Sequence, residues 1–274
     1  MTVVDGHRHF TLGTSDRSTL LKELDDDGIE KTVLFGYHGL SFGSEPHAQD
    51  IAVAELARRD PERFLPFFCD FDIFGEDGVE YVEQRLGEDG FAGLGELLVY
   101  HTPIRFRSFE QRSMLDQGFI QCCRAAGRFG KPVLFHADPV FREEAVEAVS
   151  RCPETSFIWA LAAFDFCREY GGVPCDAAYA GRLLEGHPNL HFDISSWKIS
   201  PLHLFETPWL ELLERYSDRF IFGSDMTGDY SLERVWLPAY WELKQRLDPK
   251  AREDIFGGTI LRLTMAVDSA DIKP

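Results

Sequence analysis

Val3-Val4-Asp5-Gly6-His7-Arg8-His9 opens with an apolar run and ends in two histidines one residue apart. The fold of the rest turns on how this segment reads. An open doubly wound sheet usually follows its first strand with a glycine-rich phosphate loop. Asp5-Gly6-His7-Arg8-His9 is a poor phosphate loop and a good metal loop. A strand repeats every two residues, so His7 and His9 share one face, the inner one if the strand is a stave of a closed barrel. A lone histidine is more often a hydrogen-bonded core residue. A pair placed after an apolar strand reads better as two imidazoles converging on one divalent ion.

Outward from this segment, short apolar runs alternate with longer amphipathic ones, as parallel strands joined by helical crossovers require. Eight runs read as strands, at 3–7, 31–37, 64–71, 91–98, 132–136, 156–161, 190–194 and 220–223. Helix-like stretches lie at 18–27, 48–59, 79–86, 112–129, 142–150, 177–185, 208–216 and 232–246. Turn residues such as Asp27-Gly28, Asp60-Pro61, Gly130-Lys131-Pro132 and His187-Pro188-Asn189 fall just before strands, where helices must stop. The 274 residues would allow two small domains at about 150 residues each. No Ser-rich linker or composition shift marks a boundary, so the expectation is an α/β fold with one domain over 1–274, a single (β/α)8 TIM-type barrel. In such a barrel the informative residues are the polar ones that close each strand at its carboxyl end.

Composition narrows the function classes. Asp and Glu number 46 against 28 Lys and Arg, a formal charge of −18 with no basic cluster, which argues against nucleic acid and anionic membrane surfaces. The chain is 44% hydrophobic and 27% charged, the balance of a soluble globular protein with a small-molecule substrate. Cys69, Cys122, Cys123, Cys152, Cys167 and Cys175 form no CxxC pair and read as reduced thiols. The opening residues lack the basic and apolar regions of a signal peptide, and no stretch reaches the ~18 apolar residues of a membrane span. A cytoplasmic enzyme is expected, with a homo-oligomer left open.

Further strand ends add donors. Pro132-Val-Leu-Phe-His136 closes on a third imidazole, and Phe220-Ile-Phe-Gly-Ser-Asp225 on a carboxylate that is costly to bury unless a metal or donor compensates it. Three histidines and an aspartate at strand ends suit zinc or another first-row metal. Their spacing is too wide for a zinc finger and fits ligands gathered by a closed sheet.

The motif Val4-Asp-Gly-His-Arg-His9, the strand-ending His136 and Phe222-Gly-Ser-Asp225 resemble the metal-dependent amidohydrolase superfamily. The likeness is strongest to its amidohydrolase-related branch, which includes aminocarboxymuconate-semialdehyde decarboxylase. It extends to Gly93-Leu-Gly-Glu96, where relatives carry a metal carboxylate, and to 255–263, which resembles the family's closing helix. The resemblance implies that His7, His9 and Asp225 bind metal, that Glu96 and His136 complete or bridge the site, and that Asp225 is the general base. The ion expected is zinc.

One residue departs from the pattern. Relatives usually end the sixth strand in a histidine, and here Phe157-Ile-Trp-Ala-Leu161 places a leucine. Leu161 can neither bind a metal nor polarise a carbonyl, which leaves one ion as the expectation. His38, His101, Arg105, Trp159 and Lys198 lie near strand ends and are candidates for holding an anionic or aromatic substrate. His191 and Asp193 share a face of the seventh strand, where support for the ligands and a barrel-core pair are equally open. The leading reading is a hydrolase that activates water against a small carboxylate-bearing, lactone or amide substrate. A non-oxidative decarboxylase, lyase or cyclase on the same scaffold stands beside it, as does a metal- or ligand-binding pseudoenzyme.

Overall fold

Parallel strands with helices between them account for the alternation in the sequence. The structure, a computed structural model, describes residues 2–37, 45–88, 90–100, 112–137, 141–161, 176–195, 200–227 and 233–265. Its strands are β1 (Val4–His9), β2 (Lys31–Phe35), β3 (Phe64–Phe68), β4 (Gly93–Tyr100), β5 (Val133–Ala137), β6 (Phe157–Trp159), β7 (Leu190–Asp193), β8 (Phe220–Ile221) and β9 (Met226–Thr227). Each pairs in parallel with the next in sequence from β1 to β8, and β9 returns to β1. β8 and β9 are two halves of one stave: the first pairs with β7 and the second with β1. Between them Gly6 N donates to Phe222 O at 2.8 Å and Asp225 N donates to His7 O at 2.8 Å. These bonds close a single (β/α)8 TIM-type barrel.

The helices are α1 (Arg17–Asp27), α2 (Ala48–Arg59), α3 (Gly78–Glu88), α4 (Gln117–Arg128), α5 (Arg142–Arg151), α6 (Ala177–Gly186), α7 (Thr207–Arg215), α8 (Leu237–Arg246), α9 (Pro249–Glu253) and α10 (Thr259–Thr264). Their ends have local causes. Asp16 caps α1 by accepting from Thr19 N, and Gly28 ends it at φ 70 with its N–H turned back to Asp25 O and Leu24 O. α4 begins at Gln117 rather than at 112 because Asp116 caps it, accepting from Gly118 N at 2.8 Å. The expected closing helix at 255–263 divides into a π turn over Asp254–Gly258 and then α10.

Alternation along the strands sorts side chains into two layers. Val4, Val33, Phe35, Phe67, Leu134, Ile158 and Ile221 fill the barrel, and Ile260 of α10 joins them where that helix packs on β1 and β8. Leu34, Phe68, Phe135, Phe157, Phe192 and Phe220 point the other way and pack with the helices. Trp159 belongs to this outer layer: its ring lies against Phe135 and Phe192, and its Nε1 donates to Ala137 O at 3.0 Å. That corrects its reading as a substrate contact. It shares the parity of Phe157, so it faces the helices and not the barrel axis.

Cys69, Cys122, Cys123 and Cys152 are buried free thiols. No helix among the described residues is long and apolar enough to cross a membrane. His38, His101, Arg105 and Lys198 lie outside the described residues.

Candidate metal centre

Two β-bulges aim the polar residues inward. In β1, Asp5 pairs with Thr32 and Arg8 with Leu34, so three steps on one strand match two on the other. The extra residue leaves Val4, His7 and His9 all facing the barrel interior. Arg8 points away, ion-paired with Glu23 and donating to Met226 Sδ at 3.4 Å. In β4, Leu94 pairs with Val133 and Leu97 with Phe135, again three steps against two. Leu94 and Leu97 both pack in the outer layer, and Glu96 between them turns inward. The glycines flanking Leu94 suggest a close backbone approach, and Gly95 makes one. At φ 130, a Cβ there would sit 2.2 Å from Leu134 O.

His7, His9 and Glu96 place their ligand atoms within 4.8 Å of one another, all buried. The two imidazole Nε2 atoms are 3.4 Å apart. Glu96 Oε2 lies 3.5 Å from His7 Nε2 and 3.3 Å from His9 Nε2. Asp225 Oδ1 meets the same two nitrogens from the eighth stave, at 3.3 Å from each. His136 stands one group away, its Nδ1 3.6 Å from the other oxygen of Glu96. The arrangement converges on the two Nε2 atoms of β1, with one carboxylate on either side.

The charge balance of the cluster calls for a cation. Burial disfavours a charged imidazole at His7, yet Asp225, Glu96 and Asp193 outweigh it and hold its pKa well above the ordinary histidine range. His9 is raised for the same reason, burial again being overcome by Asp225 and Glu96. Burial likewise opposes the charged forms of Glu96 and Asp225, and the imidazoles hold both below the usual carboxylate range. Among the described residues, the ion-pair partners of these two carboxylates are imidazoles alone. A divalent cation fits such a set of buried nitrogen and oxygen donors and would take over the charge that protons otherwise supply.

The supporting residues are in part ones the sequence left undecided. Asp193 Oδ2 is 2.5 Å from His7 Nδ1, and Asp193 also accepts from Ser195 N and Oγ at 2.6 and 2.9 Å. With Nδ1 engaged, the free nitrogen of His7 is the one facing the cluster. His191, on the same face of β7, is separate from this. Its Nδ1 lies 3.2 Å from Phe157 O, and burial with nearby Arg219 pushes its pKa down to about 3. Asp5 accepts from Ser224 N, Ser224 Oγ and His7 N, tying the start of β1 to the segment that carries Asp225. Sequence reading passed over Asp5 although it stands inside the motif. A carboxylate in an otherwise apolar strand was the available signal.

Leu161 follows β6 and is buried, with a left-handed backbone at φ 56. Its side chain offers no donor. Asp225 is also left-handed, at φ 51, where aspartate is among the better-tolerated residues.

Comparison with known proteins places this geometry. Among curated proteins none matches the chain. Solved structures of similar shape include a dihydroxybenzoic acid decarboxylase from Polaromonas with bound manganese, at 14% identity, 96% of each chain covered and a TM-score of 0.64. An amidohydrolase from Burkholderia multivorans with bound zinc has 14% identity over 97% of this chain and 100% of that one, TM-score 0.66. A probable 2-pyrone-4,6-dicarboxylic acid hydrolase from Acinetobacter baumannii has 13% identity over 96% and 99%, TM-score 0.64. At these identities the likeness is one of fold. The sequence model of the amidohydrolase family matches residues 4–263, nearly the whole chain, and the chain belongs to that family of enzymes.

Proposed function

We propose that this chain is a metal-dependent hydrolase of a small carboxylate-bearing, lactone or amide substrate, with His7, His9, Glu96 and Asp225 holding one divalent ion and Asp225 moving the proton. A divalent ion held there would supply Lewis acidity at the barrel mouth, acidifying water and polarising a substrate oxygen. Zinc suits the mixed nitrogen and oxygen donors, and manganese is the competing choice.

The observation that carries the reading is the position of Asp225, whose Oδ1 lies 3.3 Å from both His7 Nε2 and His9 Nε2. A carboxylate so placed takes a proton from attacking water and returns it to the leaving group. Asp193 keeps His7 in the tautomer that presents Nε2. His136, whose Nδ1 lies 3.6 Å from Glu96 Oε1, would complete the site beside that carboxylate.

A second reading is non-oxidative decarboxylation, in which a proton replaces carbon dioxide on the substrate carbon and Asp225 relays that proton from solvent. The solved decarboxylase of like fold supports it. Leu161 bears on both readings alike, because its side chain offers no donor to either.

One experiment separates the two. The metal-loaded protein is incubated in ¹⁸O-labelled water with a panel of lactones (2-pyrone-4,6-dicarboxylate among them), aryl amides and dihydroxybenzoates, and the products are weighed by mass spectrometry. Hydrolysis predicts one labelled oxygen in the acid formed, which is the ring-opened product heavier by one water for a lactone and the acid fragment released with an unlabelled amine for an amide. A product lighter by carbon dioxide and carrying no label would transfer the assignment to the decarboxylase reading.

A further inference from the structure

His7 and His9 are held by different means. His7 is fixed by a carboxylate, through Asp193 on its Nδ1. His9 has no counterpart: its Nδ1 is buried and has no hydrogen-bond partner among the described residues. Aromatic rings hold it instead. The Tyr37 ring stacks on the imidazole at 4.2 Å between centroids with 4° between planes, and Phe35 meets it edge-on at 4.7 Å and 76°.

The backbone delivers Tyr37 to that place. His9 pairs with Phe35 across β1 and β2, and Tyr37 follows Phe35 by one strand period. Between them Gly36 is pressed against α2, where a Cβ would come within 2.5 Å of Gln49 Cβ. Gly36 O also accepts from Cys69 Sγ at 3.3 Å, and Gln49 Oε1 accepts from Leu12 N at 3.2 Å. The end of β2 is thereby pinned between α2 and the end of β3, and the tyrosine ring lands flat on His9.

We infer that Tyr37 is the positioning residue for His9, setting the direction of its Nε2 by stacking where Asp193 sets that of His7 by a hydrogen bond. The inference rests on the metal reading proposed above. An unbonded imidazole rotates about its side-chain torsions unless packing forbids it, and metal affinity depends on both Nε2 atoms pointing at one spot. The stacked face provides the restraint, and the hydroxyl is dispensable to it.

The test uses Tyr37→Phe, Tyr37→Leu and Tyr37→Ala in the full chain, with folding checked by circular dichroism and urea unfolding. Zn²⁺ affinity is measured by competition with a chromophoric chelator, and the ring protons of His9 are followed by NMR in the metal-free protein. Tyr37→Phe should bind within about threefold of the parent and keep the upfield ring-current shift of His9. Tyr37→Leu fills the space without a π face. It and Tyr37→Ala should lose that shift and bind about 10-fold or more weakly, in the range seen when a ligand's supporting group is removed. Unchanged affinity in the leucine and alanine variants, or an equal loss in Tyr37→Phe, overturns the role of Tyr37 while leaving the metal site standing. A parent protein that binds neither Zn²⁺ nor Mn²⁺ overturns the metal reading and this inference with it, even where the ring-current shift is present.

Discussion

Asp193 Oδ2 lies 2.5 Å from His7 Nδ1, joining the seventh stave to the first beside the cluster of His7, His9, Glu96 and Asp225. The carboxylate is buried and takes two further hydrogen bonds from Ser195, so its orientation is set before any ligand arrives. Replacement by Asn keeps the shape but can offer an N–H to Nδ1, which stabilises the wrong tautomer. Asp193→Asn should bind Zn²⁺ about 10–100-fold more weakly by chelator competition, with the fold retained. Parent-like affinity in this variant would detach Asp193 from the ligand set.

Asp225 carries the proton in the proposed chemistry. Asn is the informative substitution because it tolerates the left-handed backbone at φ 51 and keeps the side chain's shape while removing its capacity to take up a proton. Asp225→Asn should lower kcat by about 10²–10⁴ on whichever substrate the panel reveals, as removal of a positioned acid-base group does. Urea unfolding midpoints should stay close to the parent. A variant that turns over at the parental rate would take the proton role away from this residue.

At Gly95 the prediction concerns how Glu96 is delivered. Its φ of 130 and the 2.2 Å approach of a Cβ to Leu134 O leave no room for a side chain. Gly95→Ala should cost at least about 1–3 kcal/mol of stability, the usual range for a strained backbone position. It should also weaken Zn²⁺ binding by shifting Glu96. Thermal unfolding and chelator competition on the same preparation measure both.

These particulars mark what the sequence could and could not convey. Strand periodicity sufficed for the barrel, for the shared face of His7 and His9, and for His136 and Asp225 at strand ends. It misdirected at Trp159, because an aromatic near a strand end reads alike on either face until the register is known. Glu96 was legible only through the resemblance of Gly93-Leu-Gly-Glu96 to the family's motif. Strict alternation from Leu94 would have turned it outward, and the bulge that reverses it is a property of pairing with β5. Asp193 stayed undecided and Tyr37 unread for a different reason. Each acts through a contact between staves, 186 residues apart in the case of His7 and Asp193.

Asp50, at the start of α2, gives a pH-dependent prediction. Burial pushes its pKa up to about 7, against hydrogen bonds from Cys69 N, Asp70 N and the Tyr81 hydroxyl, with the neighbouring Asp70 adding to the rise. The folded chain therefore holds this proton more tightly than the unfolded chain. The stability it contributes is complete below the unfolded value near 4 and is lost as pH rises through about 7. Relative to Asp50→Asn, the parent should lose unfolding free energy steadily from pH 4 to 7 and level off above that. Urea melts of both proteins across pH 4–9 provide the comparison, and parallel curves would show that Asp50 keeps an ordinary pKa.

The central claim is that the two histidines of β1 and the carboxylates facing them bind one divalent ion. Equilibrium dialysis of chelator-stripped protein against Zn²⁺ and Mn²⁺, read by elemental analysis, tests it most directly. The account predicts one ion per chain in the parent and no more than a trace in His7→Ala and His9→Ala, both still folded. A parent that retains no ion, or alanine variants that retain one as fully as the parent does, would contradict it.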